Sequence, residues 1–231
     1  VQWMIESGAA MGQETARVIY PSGHRSPRYP LRMAHALAAE LARHTSSLDI
    51  LVNNSGLTWG GPRDDFPEDK GWDKVFHLNV KSQFYLTVAL IPLLEQGKSN
   101  THHASVVNIA STAAMMPQAS GALSQPGSGT YSYQPSKAAS VHLSRMLAVD
   151  LAEQHIHVNA ICPGVFPSRM TAWSLGEFGE ALEAGQPTGR IGTPEDIGGL
   201  LLFLVSRAGS HVTGAAIPLD GGQLVQFYPR L

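Results

Sequence analysis

The chain has 231 residues, 43% of them hydrophobic and 15% charged, which suits one globular domain with a sizeable core. Its net charge of −2 lacks the basic surplus that attracts nucleic acid or anionic membranes, and its longest apolar run, 200–205, is far below the roughly 20 residues of a membrane span. A single cysteine excludes an internal disulfide, and with no signal-peptide pattern at the start we expect a reducing, cytoplasmic location.

Short β-branched runs alternate with longer helical patterns along the chain, which is typical of βαβ units in a parallel sheet. In chain order, the predicted elements are helix 31–44, strand 48–52, helix 71–94, strand 106–110, helix 133–154, strand 155–161, helix 195–206 and strand 215–219. Thr193-Pro194-Glu195 is a helix start, with threonine as N-cap and proline in the first turn. Right-handed crossovers then predict one α/β domain over 1–231, a doubly wound Rossmann-like sheet with helices on both faces.

Three motifs follow predicted strands directly. Asn53 ends the first strand, Ser111 follows the second, and Pro163-Gly164 follows the third. Ligands bind beyond the carboxyl ends of the strands in sheets of this class. We therefore expect these motifs to meet at one edge of the sheet.

Tyr133 and Lys137 are the most informative pair in the chain. At a spacing of four residues their side chains share one helix face. A neighbouring ammonium favours the phenolate, so the pattern predicts a lowered Tyr133 pKa and a proton donor or acceptor usable near neutral pH. Tyr131 has proline at the corresponding position and is a decoy.

Together with Asn79 and the closing Asp220-Gly221-Gly222, these motifs resemble the short-chain dehydrogenase/reductase family over about residues 34 to 223. Segments 129–139 and 162–171 look most like the rhamnolipid-type β-ketoacyl reductase branch and its fungal relatives. The resemblance implies a catalytic group with named roles. Tyr133 would be the general acid or base, Ser111 would stabilise the substrate oxyanion, Lys137 would lower the Tyr133 pKa, and Asn79 would bend its helix and anchor a proton-relay water.

The resemblance also implies an NADP or NAD cofactor, with NADP favoured although no ribose-selecting residue can be placed. Its nicotinamide side would contact Lys137, Tyr133 and the loop after the third strand. The remaining implied cofactor-binding residues are Asn53 and Gly56 on the adenosine side, and Pro163, Gly164, Val165 and Ser168 beside the nicotinamide. Segment 166–190, rich in Gly and Pro, resembles the family's substrate lid, and the long loop 113–130 should reshape the mouth of the site.

The first 30 residues are atypical. The family's fold needs roughly 70–75 residues before the Asn53 turn, and only 52 are present, so at least one βα unit is missing or replaced. In one alternative, 1–5 is a minimal strand and 7–14 a degenerate glycine-rich phosphate turn, with Glu14 in place of the third glycine. In the other, 17–21 is the third strand of the fold and the first nucleotide-binding unit is absent. Dinucleotide binding would then be weak or lost.

Two functions stay open at this point. The first is an NAD(P)(H)-dependent oxidoreductase acting on a carbonyl or secondary alcohol, with a β-ketoacyl or polyketide-like substrate. The alternative is a non-redox isomerase, cyclase or dehydratase that uses the same residues without a dinucleotide; a catalytically silent fragment is disfavoured by the intact catalytic group. We expect a small-molecule substrate, a homodimer or homotetramer formed through the broadly apolar helix 133–154, and no nucleic-acid or membrane partner. The pairs His102-His103 and His155/His157 lack carboxylate or thiolate companions, so no metal site is predicted.

Overall fold

A computed structural model describes residues 6–7, 16–17, 29–121 and 124–226. Its helices are α1 (Tyr29–Leu41), α2 (Lys74–Phe76), α3 (Ser82–Leu94), α4 (Tyr133–Asp150), α5 (Ala172–Ala184) and α6 (Pro194–Val205). Its strands are β1 (Glu6–Ser7), β2 (Ala16–Arg17), β3 (Ile50–Asn53), β4 (Ala104–Ile109), β5 (Ile156–Pro163) and β6 (Ala216–Leu219). Within these ranges no helix is both long and apolar enough to cross a membrane.

Four parallel strands form the sheet, in the order β3-β4-β5-β6. Each of the four strands predicted between residues 48 and 219 is present within two residues of its predicted limits, and the predicted α/β architecture is confirmed. Alternate residues of the inner strands face opposite sides, since Val106 joins one buried cluster and Val107 another. The sheet is therefore covered on both faces, as predicted.

The helices on the two faces come from different crossovers. Leu86 of α3 and Leu147 of α4 pack with Val106, whereas Leu204 of α6 packs with Val107 on the other face. The strand order nevertheless advances in one direction throughout. The β5–α6–β6 connection must therefore have the opposite hand to the two before it, and the expectation of uniformly right-handed crossovers is wrong. The connection between β5 and β6 is long enough for the chain to cross to the opposite face of the sheet before α6 begins.

Before α1, only two short strands of the N-terminal segment are described. β1 and β2 form a separate antiparallel pair, with Glu6 opposite Arg17. Arg17 is thus not part of a third parallel strand in this structure, because its partner is a neighbouring short strand and not the main sheet. The proposed strand 1–5, residues 8–14 of the phosphate turn, and 18–21 lie outside the described residues.

Two other helical predictions need correction. The helix predicted over 71–94 is interrupted by π-helical turns at Glu68–Asp73 and His77–Lys81. No helix is predicted in segment 166–190, which nevertheless contains helix α5, despite glycines at 176 and 179 that disfavour helix. By contrast, the Thr193 start is confirmed: α6 begins at Pro194, and the Thr193 N–H donates to an Asp196 carboxylate oxygen at 2.8 Å.

Candidate active site

The carboxyl ends of three neighbouring strands place the predicted motifs together. Asn53 ends β3 and lies in register with Asn108 of β4, which is in turn opposite Ala160 of β5. Ser111 follows β4 by two residues, and Pro163 ends β5. The Thr112 hydroxyl donates to the Pro163 carbonyl at 3.3 Å, which joins the two strand ends directly. The predicted convergence at one edge is confirmed.

Tyr133 opens α4 at this edge, and Lys137 follows it by one turn. The Lys137 ammonium lies 5.6 Å from the centroid of the Tyr133 ring and donates to the Ile109 carbonyl at 2.9 Å. Ser111 interacts with the phenol through its side chain, and its hydroxyl also accepts the Ala113 N–H at 3.1 Å. The structure therefore assembles the phenol, the hydroxyl and the ammonium at one place.

The electrostatics of Tyr133 differ from the sequence expectation. Burial raises the pKa of the phenol, and the Ser111 hydroxyl lowers it only in part. The predicted lowering by Lys137 is not found, because the ammonium points to the Ile109 carbonyl instead of the phenol oxygen. Burial also lowers the Lys137 pKa to about 8, with Cys162 opposing the shift. In this state the phenol is a proton donor at neutral pH.

Cys162 contributes to this electrostatic environment, which the sequence did not indicate. It lies fully buried in β5, and the backbone of Ser111 hydrogen-bonds its thiol. Burial raises the thiol pKa, while Lys137 is among the groups that lower it. The thiol therefore interacts with both the Ser111 backbone and the Lys137 ammonium.

Asn79 is fully buried in the π-helical turn His77–Lys81. Its amide bonds both backbone groups of Leu57: the Leu57 N–H donates to its oxygen, and its nitrogen donates to the Leu57 carbonyl, each at 2.9 Å. The same nitrogen donates to the Ser136 hydroxyl at 3.0 Å, beside Lys137. The predicted local distortion of this helix is present as a π-turn, a feature that frequently marks functional sites.

The Gly56 backbone passes close to the catalytic group, and a side chain at this position would crowd it. A Cβ at this position would lie 3.3 Å from the Lys137 ammonium and 3.4 Å from the Asn79 side-chain oxygen. Asn53, by contrast, turns inward, where its amide nitrogen donates to Asn108 at 2.8 Å and to Thr87 at 3.3 Å. Asn53 thus supports the sheet under the site, and its contact with the adenosine side of a cofactor stays a prediction.

The loop after β5 contains the other predicted cofactor residues. Gly164 packs so closely that a Cβ would approach that of Asp220 to 2.8 Å, and Val165 is buried with its carbonyl accepting from Gly192. Ser168 is exposed and bonds the Thr171 hydroxyl at 3.0 Å. These contacts fix the path of the loop next to Tyr133 and Lys137. Their contact with a cofactor stays a prediction.

The described residues fit one half of a dinucleotide. The buried ammonium of Lys137 offers a donor to ribose hydroxyl groups, and Gly56, which has no side chain, leaves this ammonium uncrowded. The residues that would hold a pyrophosphate were predicted at 7–14, and of these only Ser7 is described. Among the described residues, no group of three or more His, Cys, Asp or Glu side chains is arranged to hold a metal ion.

Comparison with known proteins decides the family. A sequence model described as enoyl-(acyl carrier protein) reductase matches residues 32–223. The chain belongs to the short-chain dehydrogenase/reductase family. It is an oxidoreductase of this family, and the resemblance inferred from its motifs is confirmed.

Individual relatives agree with this assignment. The rhamnolipids biosynthesis 3-oxoacyl-[acyl-carrier-protein] reductase of Pseudomonas aeruginosa is 44% identical over 192 residues, covering 82% of this chain and 71% of that protein. A 2-dehydro-3-deoxy-D-gluconate 5-dehydrogenase of Dickeya dadantii is 34% identical over 194 residues, covering 83% and 71%. Among solved structures, the Pseudomonas aeruginosa RhlG/NADP active-site complex matches with a TM-score of 0.75 and 42% identity, covering 84% of this chain and 73% of that one.

Proposed function

We propose that this protein is an NAD(P)(H)-dependent oxidoreductase that reduces a carbonyl or oxidises a secondary alcohol, with a β-ketoacyl or polyketide-like substrate. The observation that carries the proposal is the assembly of Tyr133, Ser111 and Lys137 at the carboxyl edge of the sheet. The relatives that match the chain include a 3-oxoacyl-[acyl-carrier-protein] reductase and a complex with NADP. NADP is therefore the cofactor we favour.

Tyr133 and Ser111 both contact the substrate oxygen, the first as proton donor and the second as hydrogen-bond donor. A bound reduced nicotinamide supplies the hydride for the carbonyl carbon. The Tyr133 phenol, protonated at neutral pH because burial raises its pKa, donates its proton to the carbonyl oxygen. The Ser111 hydroxyl donates to the same oxygen as negative charge develops there. In the reverse direction the Tyr133 phenolate accepts the alcohol proton.

Lys137 and Asn79 lie close to Tyr133 and complete the proposed site. Lys137 is 4% exposed, and its ammonium, which donates to the Ile109 carbonyl, would also donate to the ribose hydroxyl groups of a bound nicotinamide nucleotide. Asn79 fixes the Leu57 backbone and Ser136 on either side of this ammonium. The predicted relay water would bind at this position.

The proposed lid supports an apolar substrate. Helix α5 carries Trp173 and Phe178, which are each 40% exposed and contact one another edge-to-face at 5.9 Å. Met170, in the turn before α5, is 44% exposed. Large apolar side chains exposed together on one segment mark a binding surface more often than a solvated loop. This composition favours an acyl or polyketide chain over a polyol.

We also propose a homo-oligomer. Phe84 and Val88 on α3, and Met146 and Val149 on α4, are apolar and between 38% and 76% exposed. The helices are neighbours on one face of the sheet, so a second copy of the chain could cover both by a two-fold contact. Among the apolar residues of the predicted helix 133–154, Ala138 and Met146 are exposed, whereas four are buried within the subunit: Val141, Leu147, Ala148 and Leu151.

Titration of the protein with NADPH and NADH, followed by nicotinamide fluorescence, tests the function. Saturable binding and oxidation of the nicotinamide with a 3-oxoacyl thioester are the expected results. The dissociation constant also separates the N-terminal alternatives. Low-micromolar binding requires a working phosphate turn at 7–14, whereas losing several charge-assisted hydrogen bonds, each worth about 1.5–3 kcal/mol, weakens binding by orders of magnitude. Conversion of the substrate without nicotinamide would support the non-redox alternative.

A further inference from the structure

A repeated series of buried polar residues lies between α3 and α4. It begins in the π-helical turn at Asn79 and recurs at every fourth position on both sides, so that the members of each side line one face of their helix. The members are Asn79, Gln83 and Thr87 on one side and Ser136, Ser140 and Ser144 on the other, each at most 1% exposed. Helix interfaces are ordinarily apolar, so a polar one calls for a specific reason.

The series forms three successive contacts. In the first, Asn79 donates to Ser136 at 3.0 Å, within the catalytic group itself. In the second, one turn farther, the Ser140 hydroxyl donates to the Gln83 side-chain oxygen at 2.6 Å. The third contact is indirect and runs through the sheet. The Asn108 side-chain nitrogen donates to the Ser144 hydroxyl at 2.8 Å, and the Asn53 side-chain nitrogen donates both to the Asn108 side-chain oxygen and to the Thr87 hydroxyl.

The second contact is made at a cost to stability. The Gln83 amide nitrogen is buried and has no hydrogen-bond partner among the described residues. A leucine of similar size would avoid that cost in the same space. The side-chain nitrogen of Gln83 therefore makes no hydrogen bond that would stabilise the fold. Its directional bond to Ser140 fixes the two helices one turn from Asn79, where an apolar contact would allow sliding.

A change in the distance between Gln83 and Ser140 would also move Lys137 relative to Asn79. Asn79 and Lys137 border the same point beside Gly56, at 3.4 Å and 3.3 Å from the position of an added Cβ. Asn79 comes from the segment that leads into α3, whereas Lys137 belongs to α4. A change in the separation of the two helices therefore changes the distance between these two catalytic groups.

We propose that Gln83 and Ser140 are positioning residues for the reaction, which set the separation of α3 and α4 at which Asn79 and Lys137 are correctly placed. The inference rests on the proposed function for its effect on turnover. Its effect on the Lys137 environment does not depend on turnover. Titratable groups that face Lys137 are Tyr133 on its own helix and Cys162 on β5.

The test compares two hydroxyl deletions one turn apart on α4. Ser140→Ala removes the proposed contact, and Ser144→Ala removes an equally buried hydroxyl on the same helix that does not touch the catalytic group. Gln83→Leu removes the contact from the other side, while Gln83→Glu keeps an oxygen that can accept from Ser140. Each full-length variant is assayed for kcat and KM, and Lys137 is titrated by NMR with 13C-labelled lysine, assigned with Lys137→Ala.

We expect Ser140→Ala and Gln83→Leu to lower kcat about tenfold with KM changed less than about twofold. In both, water admitted between the helices moves the Lys137 pKa from about 8 toward its ordinary value of 10.5. Ser144→Ala should leave kcat and this pKa unchanged, and Gln83→Glu should retain more activity than Gln83→Leu. Equal effects from Ser140→Ala and Ser144→Ala, or a Lys137 pKa that stays at its wild-type value in Ser140→Ala, would overturn the proposal. If the wild-type protein shows no turnover, the proposed function fails, and the Lys137 titration alone decides the inference.

Discussion

Replacement of Tyr133 by phenylalanine removes one oxygen from the centre of the proposed site. The aromatic ring, and with it the packing below Lys137, stays in place. The variant loses the proton donor that burial keeps protonated at neutral pH, and with it the partner of the Ser111 side chain. The Ser111 hydroxyl can still hydrogen-bond the substrate oxygen, but it does not replace the phenol as an acid, and the nearby Lys137 ammonium is directed to the Ile109 carbonyl.

The size of the effect follows from this loss. A positioned general acid contributes about 10²–10⁴-fold, which corresponds to roughly 2.7–5.4 kcal/mol in the barrier. The cost to folding should be far smaller, on the order of 1 kcal/mol, because one hydrogen bond is lost and the ring is retained. Turnover should therefore collapse in a protein that remains folded and retains the wild-type affinity for a reduced nicotinamide.

The assay follows nicotinamide oxidation with a 3-oxoacyl thioester, alongside cofactor binding by fluorescence. Tyr131→Phe is the matched control: it removes the same atom two residues away, from a ring that packs edge-to-face on Phe66 at 5.4 Å. We expect near wild-type turnover in the control. A Tyr133→Phe variant that retains more than about a tenth of the wild-type kcat would refute the assignment of this phenol as the general acid.

Three further predictions concern stability and assembly. Burial and the stacked ring of His103 at 4.0 Å lower the His157 pKa to about 4, so between this value and 6.5 the unfolded chain binds a proton that the folded chain does not. The contribution of His157 to the free energy of unfolding is therefore complete above pH 6.5 and decreases as the pH falls from 6.5 to about 4. In urea unfolding, His157→Phe should lose less stability over this pH range than the wild type. Val149→Glu places a charge on the exposed apolar face of α4 and should shift the mass in light scattering toward a monomer of about 25 kDa; a monomeric wild-type protein would contradict the proposed interface. Gly164→Ala brings a Cβ to 2.8 Å from that of Asp220 and should cost about 1–3 kcal/mol of unfolding free energy, and an unchanged denaturation midpoint would show that this approach relaxes freely.

Local sequence patterns predict the parts of the fold that local physics decides. The apolar run that ends at Ile109 is a strand because its alternate residues are buried on both faces. Pro194 begins a helix because threonine, proline and an acid occupy its first positions. Once these strands are parallel, the motifs at their ends must meet at one edge, which is why Ser111 and Pro163 could be placed together in advance.

Features that depend on tertiary packing could not be predicted in this way. The side of the sheet on which α6 packs is set by which buried cluster Leu204 joins, and a left- or right-handed connection has the same sequence pattern. Helix α5 forms despite unfavourable glycines, because tertiary contacts override propensity. The π-helical turn at Asn79 forms where that side chain bonds the Leu57 backbone, 22 residues away in the chain.

The Tyr133 pKa shows the same limit at the level of the site. A spacing of four residues brings Lys137 close to the ring, but does not say whether its ammonium points to the phenol oxygen. In the structure a backbone carbonyl accepts the ammonium, and burial then dominates the phenol. The residues of the site were accessible to sequence reasoning, whereas the direction of the shift required the surrounding atoms.

The most direct test of the account is the stoichiometry between substrate and nicotinamide. Wild-type protein, NADPH and a 3-oxoacyl thioester are incubated together, and the hydroxyacyl product and the oxidised nicotinamide are both quantified. The account predicts one nicotinamide oxidised for each carbonyl reduced, with both products absent in Tyr133→Phe. Product that forms without any oxidised nicotinamide, and disappears in the same variant, would keep Tyr133 as the acid but contradict the redox function.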